Sequence, residues 1–385
     1  MRKVAVVGIG HSRFGSRDDV NLAELGFEAI KGALQDADLT QKDIPFVAIG
    51  TFGHWSEELL PGIVVADYAG LNPAGLMRCE AACATGSAAA RLAYLTVASG
   101  MEDIAMAVGV EKMTEVDTPS AVELIGRAAN YFWEFENFGV TFPGYYAMHA
   151  TAHMVRFGTK EEHLAMVAVK NHRYGALNPY AHFQREITVE EALRSRIIAW
   201  PLRLYDCCPI SDGAAAVIFA SGEEAKEITD TLVWVKGMGV ASDTANMNKR
   251  ETYVGLKATA TAAKQAYKMA GIGPADVDVA VVHDCFTIAE ILAYEDLGFC
   301  EKGKGAKLIQ EEETYIGGKI PVNVDGGLKA KGHPIGATGC SMFAEITRQL
   351  RGDAGKRQVP LKKGIGLIHN VGGTGHYCYV SILGR

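Results

Sequence analysis

The sequence predicts an α/β protein whose mostly parallel, helix-covered sheet is laid down in two similar halves. Three observations carry that expectation. Strand and helix signals alternate cleanly through the first hundred residues. The opening strand Val4-Ala-Val-Val-Gly-Ile-Gly10 is echoed by Val233-Trp-Val-Lys-Gly-Met-Gly239. A chain of 385 residues is long enough for two cores. We divide it into residues 1–225 and 226–385, with a segment at 110–210 that interrupts the first half.

In chain order, short apolar runs mark strands at about 3–9, 46–51, 76–79 and 103–109, and helical periodicity marks 22–36 and 60–70. The strand near 76–79 leads into a tightly packed helix that starts just after Cys83, where Gly86-Ser-Ala-Ala-Ala90 carries only small residues. From 110 to 210 the pattern turns aromatic and is interrupted by Gly and Pro, as in Tyr131-Phe-Trp133 and Phe142-Pro-Gly-Tyr-Tyr146. This reads as an excursion that leaves the sheet and covers a site. Gly213-Ala-Ala-Ala-Val-Ile-Phe-Ala220 is the return strand. The second half then offers strands at 232–239 and 278–282, helices at 255–270 and 287–298, a helix after Gly336, and closing strands at 364–369 and 376–383.

Composition narrows the function classes. At 48% hydrophobic and 22% charged the chain is an ordinary soluble one. No apolar run approaches the roughly 18 residues a bilayer requires, and the N-terminus reads as a strand rather than a signal peptide. The expected location is the cytoplasm, with no membrane association. A net charge of −7 speaks against a general nucleic-acid binder. The eight cysteines form no CxxC pair, so most are expected to be small buried hydrophobes.

Two of those cysteines have neighbours that suggest chemistry. Cys83 precedes a helix N-terminus, where the macrodipole favours thiolate over thiol. His283-Asp-Cys285-Phe286 follows a buried strand, where α/β folds gather their ligands. Gly332-His333-Pro334 sets a histidine between a glycine and a proline, a setting suited to fixing one ring, and His369-Asn-Val-Gly-Gly-Thr-Gly375 is a glycine-rich turn whose N–H groups could point at an oxyanion. A cysteine nucleophile with distant histidines is the form of an acyl-transfer site. Competing motifs are weaker. The third glycine of a dinucleotide fingerprint at Gly8-Ile-Gly10 would fall on Arg13. His149 and His153 have i, i+4 spacing but no HExxH motif, so packed or surface histidines are expected there and no metal site.

Taken together, Glu80-Ala-Ala-Cys83, Gly109-Val-Glu-Lys-Met113, Ser211-Asp-Gly213, His283-Asp-Cys-Phe286, Gly326-Gly-Leu-Lys-Ala-Lys-Gly-His333-Pro and Asn370-Val-Gly-Gly-Thr-Gly375 resemble the thiolase superfamily over essentially the whole length. The resemblance is to the branch shared by archaeal and sterol-carrier-protein-type thiolases. It implies two similar βαβαβαββ halves in a five-layered αβαβα arrangement with an inserted loop domain.

It also implies roles. Cys83 would be the acylated nucleophile, His333 the group that takes its proton, Cys285 the second acid/base and His283 part of an oxyanion hole for an enolate. A second oxyanion hole would come from the Cys83 N–H and the Val371-Gly372 turn. In other branches the second acid/base is a cysteine near the C-terminus, a position that falls here on His369. Met148 and Cys208 match pantetheine contacts of the family, and Lys302 and Lys304 are candidates for phosphate contacts.

The activity implied is an acyl-CoA:CoA C-acyltransferase that makes or cleaves a 3-oxoacyl-CoA, with acetoacetyl-CoA as the first substrate choice. Coenzyme A and acyl-CoA enter as substrates, and no tightly bound cofactor is expected. The alternatives are a degradative enzyme for a bulky acyl group such as benzoylsuccinyl-CoA, and a non-catalytic scaffold. Expected partners are a second copy, as a homodimer or tetramer, and a small companion with an OB fold and a zinc ribbon.

Overall fold

The computed structural model describes residues 2–55, 58–72 and 74–385. Its first half runs β1 (Val4–His11), α1 (Leu22–Asp36), β2 (Phe46–Gly50), α2 (Pro61–Tyr68), β3 (Gly75–Cys79), α3 (Thr85–Ser99) and β4 (Ile104–Glu111). The excursion follows, with α4 (Thr118–Gly126), α5 (Phe142–Phe157), α6 (Glu161–Gly175), α7 (Val189–Arg194) and a small hairpin of β5 (Ile197–Ala199) and β6 (Leu202–Arg203). The chain rejoins the sheet as β7 (Gly213–Ser221) and continues through α8 (Glu224–Ile228). The second half comprises β8 (Val233–Ser242), α9 (Lys257–Ala270), β9 (Val279–Val282), α10 (Thr287–Asp296), α11 (Gly305–Gln310), α12 (Ile335–Arg351), β10 (Ile365–Gly372) and β11 (Tyr377–Gly384). No helix among the described residues is long and apolar enough to cross a membrane.

Nine strands pair in the order β3-β2-β4-β7-β1-β8-β11-β10-β9. The two echoing strands lie side by side at its centre. They touch only through Ala5–Trp234 and Val6–Val233, so the sheet is two units joined at a narrow seam. The expectation of a mostly parallel sheet is corrected. β2 runs parallel to β3 and β4, and β9 to β10, but β1–β7, β4–β7, β1–β8, β8–β11 and β10–β11 are antiparallel. The physical reason lies in the connections. β10 and β11 are linked by a short turn, and β7 returns from the excursion instead of from a helical crossover.

Layering follows from which faces are apolar. Helices α1 and α2 cover one face of the first unit, where Leu25, Ile30, Val47, Val65 and Val108 form a core, and α9 and α10 cover the outer face of the second. Helices α3 and α12 cross in the middle, packed on each other and on the inner strands. Their approach is set by glycine. A Cβ at Gly86 would stand 2.6 Å from the Gly336 carbonyl oxygen, one at Gly109 2.2 Å from the same oxygen, and one at Gly339 2.1 Å from the Ser87 nitrogen. Side chains at Gly86 and Gly339 would force the two helices apart, and one at Gly109 would push α12 off β4. The start of α12 is further tied down by Glu111. Its buried carboxylate accepts from the Gly336 N–H at 2.8 Å, the Phe52 N–H at 2.9 Å, the Gly53 N–H and the Thr51 hydroxyl.

The excursion is more helical than its Gly and Pro content indicates, and it does cover a site: Met113, Val122, Ile125, Phe142, Pro143 and Ile198 all line the apolar cavity described below. Its aromatics divide. Tyr145 and Tyr146 are buried, whereas Phe132, Trp133 and Phe138 are exposed to solvent. Gly339→Ala is expected to lower the unfolding free energy by about 3 kcal/mol through backbone overpacking. Gly144→Ala, with no neighbour nearer than 3.5 Å, should not lower it. Chemical denaturation of the two variants checks the difference.

Candidate active site

Cys83 sits in a single 3₁₀ turn, Ala82–Ala84, between the end of β3 and the start of α3. Ala82 is held at φ +49°, a left-handed conformation unusual for a residue with a Cβ, immediately before the thiol. Thr85 supports this turn from below. Its hydroxyl donates to the Ala82 carbonyl at 2.6 Å and accepts from the Ala81 N–H at 2.9 Å.

The close crossing of α3 and α12 sets His333, just before α12, against this turn. Cys83 Sγ and one ring nitrogen each of His283 and His333 lie within 4.8 Å of one another, all buried. The two imidazoles meet edge to face, with ring centroids 5.0 Å apart. Cys285 and Cys208 line the same cavity of about 200 Å³, and Cys208 donates its backbone N–H to the Cys285 carbonyl at 3.0 Å. The structure thus brings Cys83, His283, Cys285, His333 and Cys208 together from both halves of the chain.

The hydrogen-bond partners fix which nitrogen of each ring carries the proton. Thr338 donates its hydroxyl to the Pro334 carbonyl at 2.8 Å, so its oxygen accepts from His333 Nδ1–H at 2.7 Å. His333 Nε2 is then a lone pair without a partner, facing the cavity. His283 is the reverse. Asn370 gives its amide nitrogen to the Cys83 carbonyl at 3.0 Å and to His283 Nδ1 at 3.1 Å. A carbonyl has no hydrogen to offer, so the amide nitrogen must face it, and His283 Nδ1 must accept. Its Nε2–H, also without a partner, is a donor aimed at the site.

Burial sets the charge states. Desolvation holds His333 near pKa 3 and His283 well below its ordinary value, the latter reinforced by the neighbouring His333 and His369. Both rings are neutral at neutral pH. The helix-dipole expectation for Cys83 is overturned. Desolvation pushes its thiol up to about 12 despite the Gly373 N–H and its own N–H pointing at sulfur, and a dipole worth at most about 2 kcal/mol does not compensate. Cys285 is raised as well, by burial and by the other thiols, with the Tyr146 hydroxyl opposing.

Several expected positions move. Met148 is turned outward and 38% exposed, because the inward face of α5 carries Phe142, Tyr146, His149 and His153. Tyr146 stacks on Phe286 at 4.7 Å and donates its hydroxyl to the Gly373 carbonyl. Val371 and Gly372 belong to the β10–β11 ladder, paired with Cys378 and Tyr377. The N–H that reaches the Cys83 sulfur is that of Gly373, which breaks from the strand at φ +63°. His369 faces the other side of β10, against Thr259 of α9, and Asn370 occupies the site side. Lys302 is engaged by Asp296 and Glu295. His149 and His153 are buried with separate partners, the Tyr253 carbonyl for one and Thr159 with Glu295 for the other. From sequence, Asn370, Tyr146 and Thr338 carried no role, and Gly373 was reached only as part of the glycine-rich turn. Strand alternation was the available signal for Asn370, since neighbours in a strand face opposite sides.

Family comparison agrees with this geometry. The model for "Thiolase, N-terminal domain" matches residues 4–223, and that for "Thiolase C-terminal domain-like" matches 239–385. The chain belongs to the thiolase family. Among its thiolase relatives, the acetyl-CoA acetyltransferase of Methanothermobacter thermautotrophicus is 47% identical over 387 residues, covering all of both chains. The benzoylsuccinyl-CoA thiolase subunit BbsB of Thauera aromatica is 36% identical, over 97% of this chain and 95% of its own. Among solved structures, the Ltp2-ChsH2(DUF35) aldolase superposes with a TM-score of 0.87 at 27% identity, covering 100% of this chain and 98% of that one.

The resting thiol gives a direct test. Alkylation of Cys83 by iodoacetamide is expected to rise about tenfold per pH unit from pH 6 to 9 without a plateau, because the thiolate is the reactive form. A plateau near pH 7, read by mass spectrometry of the Cys83 peptide, would mean a stabilised thiolate instead.

Proposed function

We propose that this thiolase exchanges acyl groups between coenzyme A and Cys83, and interconverts acetoacetyl-CoA plus CoA with two molecules of acetyl-CoA. The observation that carries the reading is the complementary pair of histidines beside one buried thiol, a lone pair on His333 and an N–H on His283. In the cleavage direction Cys83 passes its proton to His333 Nε2 as sulfur adds to the 3-oxo carbonyl. The N–H groups of Cys83 and Gly373 are suited to hold the resulting oxyanion. The bond between the 3-oxo carbon and the α-carbon then breaks, its electron pair becoming the enolate of acetyl-CoA. The His283 N–H stabilises that enolate oxygen, and the Cys285 thiol supplies the proton to carbon. The proton on His333 returns to Cys285, which leaves acetyl-Cys83 and two neutral groups. Coenzyme A then gives its thiol proton to His333 and attacks the acyl group, and His333 passes that proton to the departing Cys83 sulfur. Condensation is the same path reversed, and the raised pKa of both thiols describes the state from which cleavage begins.

A short acyl group is supported by the cavity, whose volume of about 200 Å³ falls below the roughly 300–1,000 Å³ of sites for larger ligands. Cys208, on the cavity wall, is the pantetheine contact of this reading. We assign the two units to residues 1–225 and 226–385. Dimerisation is supported by β3, an edge strand with Met77 54% exposed, next to Ile63, Val64 and Tyr68 of α2, which also face solvent. A small companion protein is a further part of the reading, by analogy with the two-component aldolase. A reducing cytoplasm is supported by eight cysteines, none in a disulfide.

Two measurements test the reading. Incubation with acetoacetyl-CoA should place one acetyl group on the Cys83 peptide, and Cys83→Ala should abolish it. Cys285→Ala should still acetylate Cys83 from acetyl-CoA, yet lose about 10²-fold or more of α-proton exchange into deuterated water. Loss of acetylation in both variants would remove Cys285 from the acid/base role.

A further inference from the structure

Cys83, His283 and His333 present the sulfur and two imidazoles of a tetrahedral zinc site, within 4.8 Å of one another and with both Nε2 atoms unpartnered. One hydrogen bond stands against that use. A metal needs the lone pair of His283 Nε2, and Asn370 holds the proton there by donating to Nδ1. The Asn370 amide cannot turn over to accept instead, because the same nitrogen is held by the Cys83 carbonyl at 3.0 Å. The carboxamide is fully buried, and its own oxygen is left without a donor, beside Gly339. A buried acceptor without a partner is a standing disadvantage, and the arrangement keeps it in order to present two hydrogens elsewhere.

We propose that Asn370 is a positioning residue that fixes the tautomer of His283, so that the site holds an oxyanion donor and refuses a thiophilic metal ion. The inference rests on the acyl-transfer reading for the role of the N–H, but the tautomer and the metal can be read without turnover. The isosteric carboxylate has no hydrogen for either partner, so it would give up the bond to the Cys83 carbonyl and reverse the one to His283. An aspartate at 370 would accept from His283 Nδ1–H, leave the Nε2 lone pair facing Cys83, and complete a carboxylate–histidine–metal relay.

The experiment compares wild type, Asn370→Asp, Asn370→Ala and the double variant Cys83→Ala/Asn370→Asp, each first shown by thermal unfolding to be folded. Nitrogen-15 shifts of His283 should report protonated Nε2 in wild type and protonated Nδ1 in Asn370→Asp. Equilibrium dialysis against micromolar zinc chloride should load Asn370→Asp with one zinc per chain through Cys83. Wild type and the double variant should remain empty. In zinc-free buffer, Asn370→Asp should lose about 10²-fold or more of α-proton exchange in acetyl-CoA, the loss typical of removing one oxyanion donor. Asn370→Ala, which pins neither nitrogen, should lose less. The proposal is overturned if wild type takes up stoichiometric zinc at this trio, or if Asn370→Asp keeps the Nε2 proton. A wild type that shows the expected shifts but never acetylates Cys83 would overturn the acyl-transfer reading and leave the tautomer assignment standing.

Discussion

The crossing of α3 and α12 is the contact on which the rest of the structure depends. Gly86 and Gly339 let two helices from different halves approach until backbone meets backbone, and Gly109 and Gly336 let the start of α12 settle equally closely on β4. Cys83 lies just ahead of one helix and His333 just ahead of the other. The distance between nucleophile and base is therefore a property of helix packing and not of a loop. Glu111 adds polar control to the same contact, because its carboxylate answers the N–H groups at the start of α12 and those after β2 at once.

Enclosure explains the charge states. A thiol and two imidazoles taken out of water all settle in their neutral forms, and the site starts from uncharged groups in place of a thiolate–imidazolium pair. Directionality is then supplied by hydrogen bonds alone. Thr338 turns one ring to accept and Asn370 turns the other to donate, so two chemically identical side chains do opposite work about 5 Å apart.

Much of this was legible in the sequence. Strand and helix positions followed from periodicity because the elements are short, apolar and separated by clear breaks. Cys83, His283, Cys285 and His333 stood out because each sits at a strand end or helix start, His333 between a glycine and a proline. What escaped depended on direction. Asn370 faces the site while its neighbour His369 faces α9, and alternation along a strand does not by itself say which of two neighbours points inward. The state of Cys83 escaped for another reason, since a helix dipole is visible in a sequence and the dryness of a cavity is not. Asn370 carries no reactive group, and its importance lies in partners contributed from positions 83 and 283.

The narrow seam between β1 and β8 has a consequence for biosynthesis. Cys83 is made early, while His283, Cys285, His333, Asn370 and Gly373 all lie beyond that seam, in the second unit. Before β10 docks beside β9 and β11, Cys83 has neither histidine nor the Gly373 N–H beside it, although the excursion of its own unit already supplies part of the cavity wall. Its reactivity is that of any free thiol. The constellation of thiol and two imidazoles is assembled only when the second unit closes on the first.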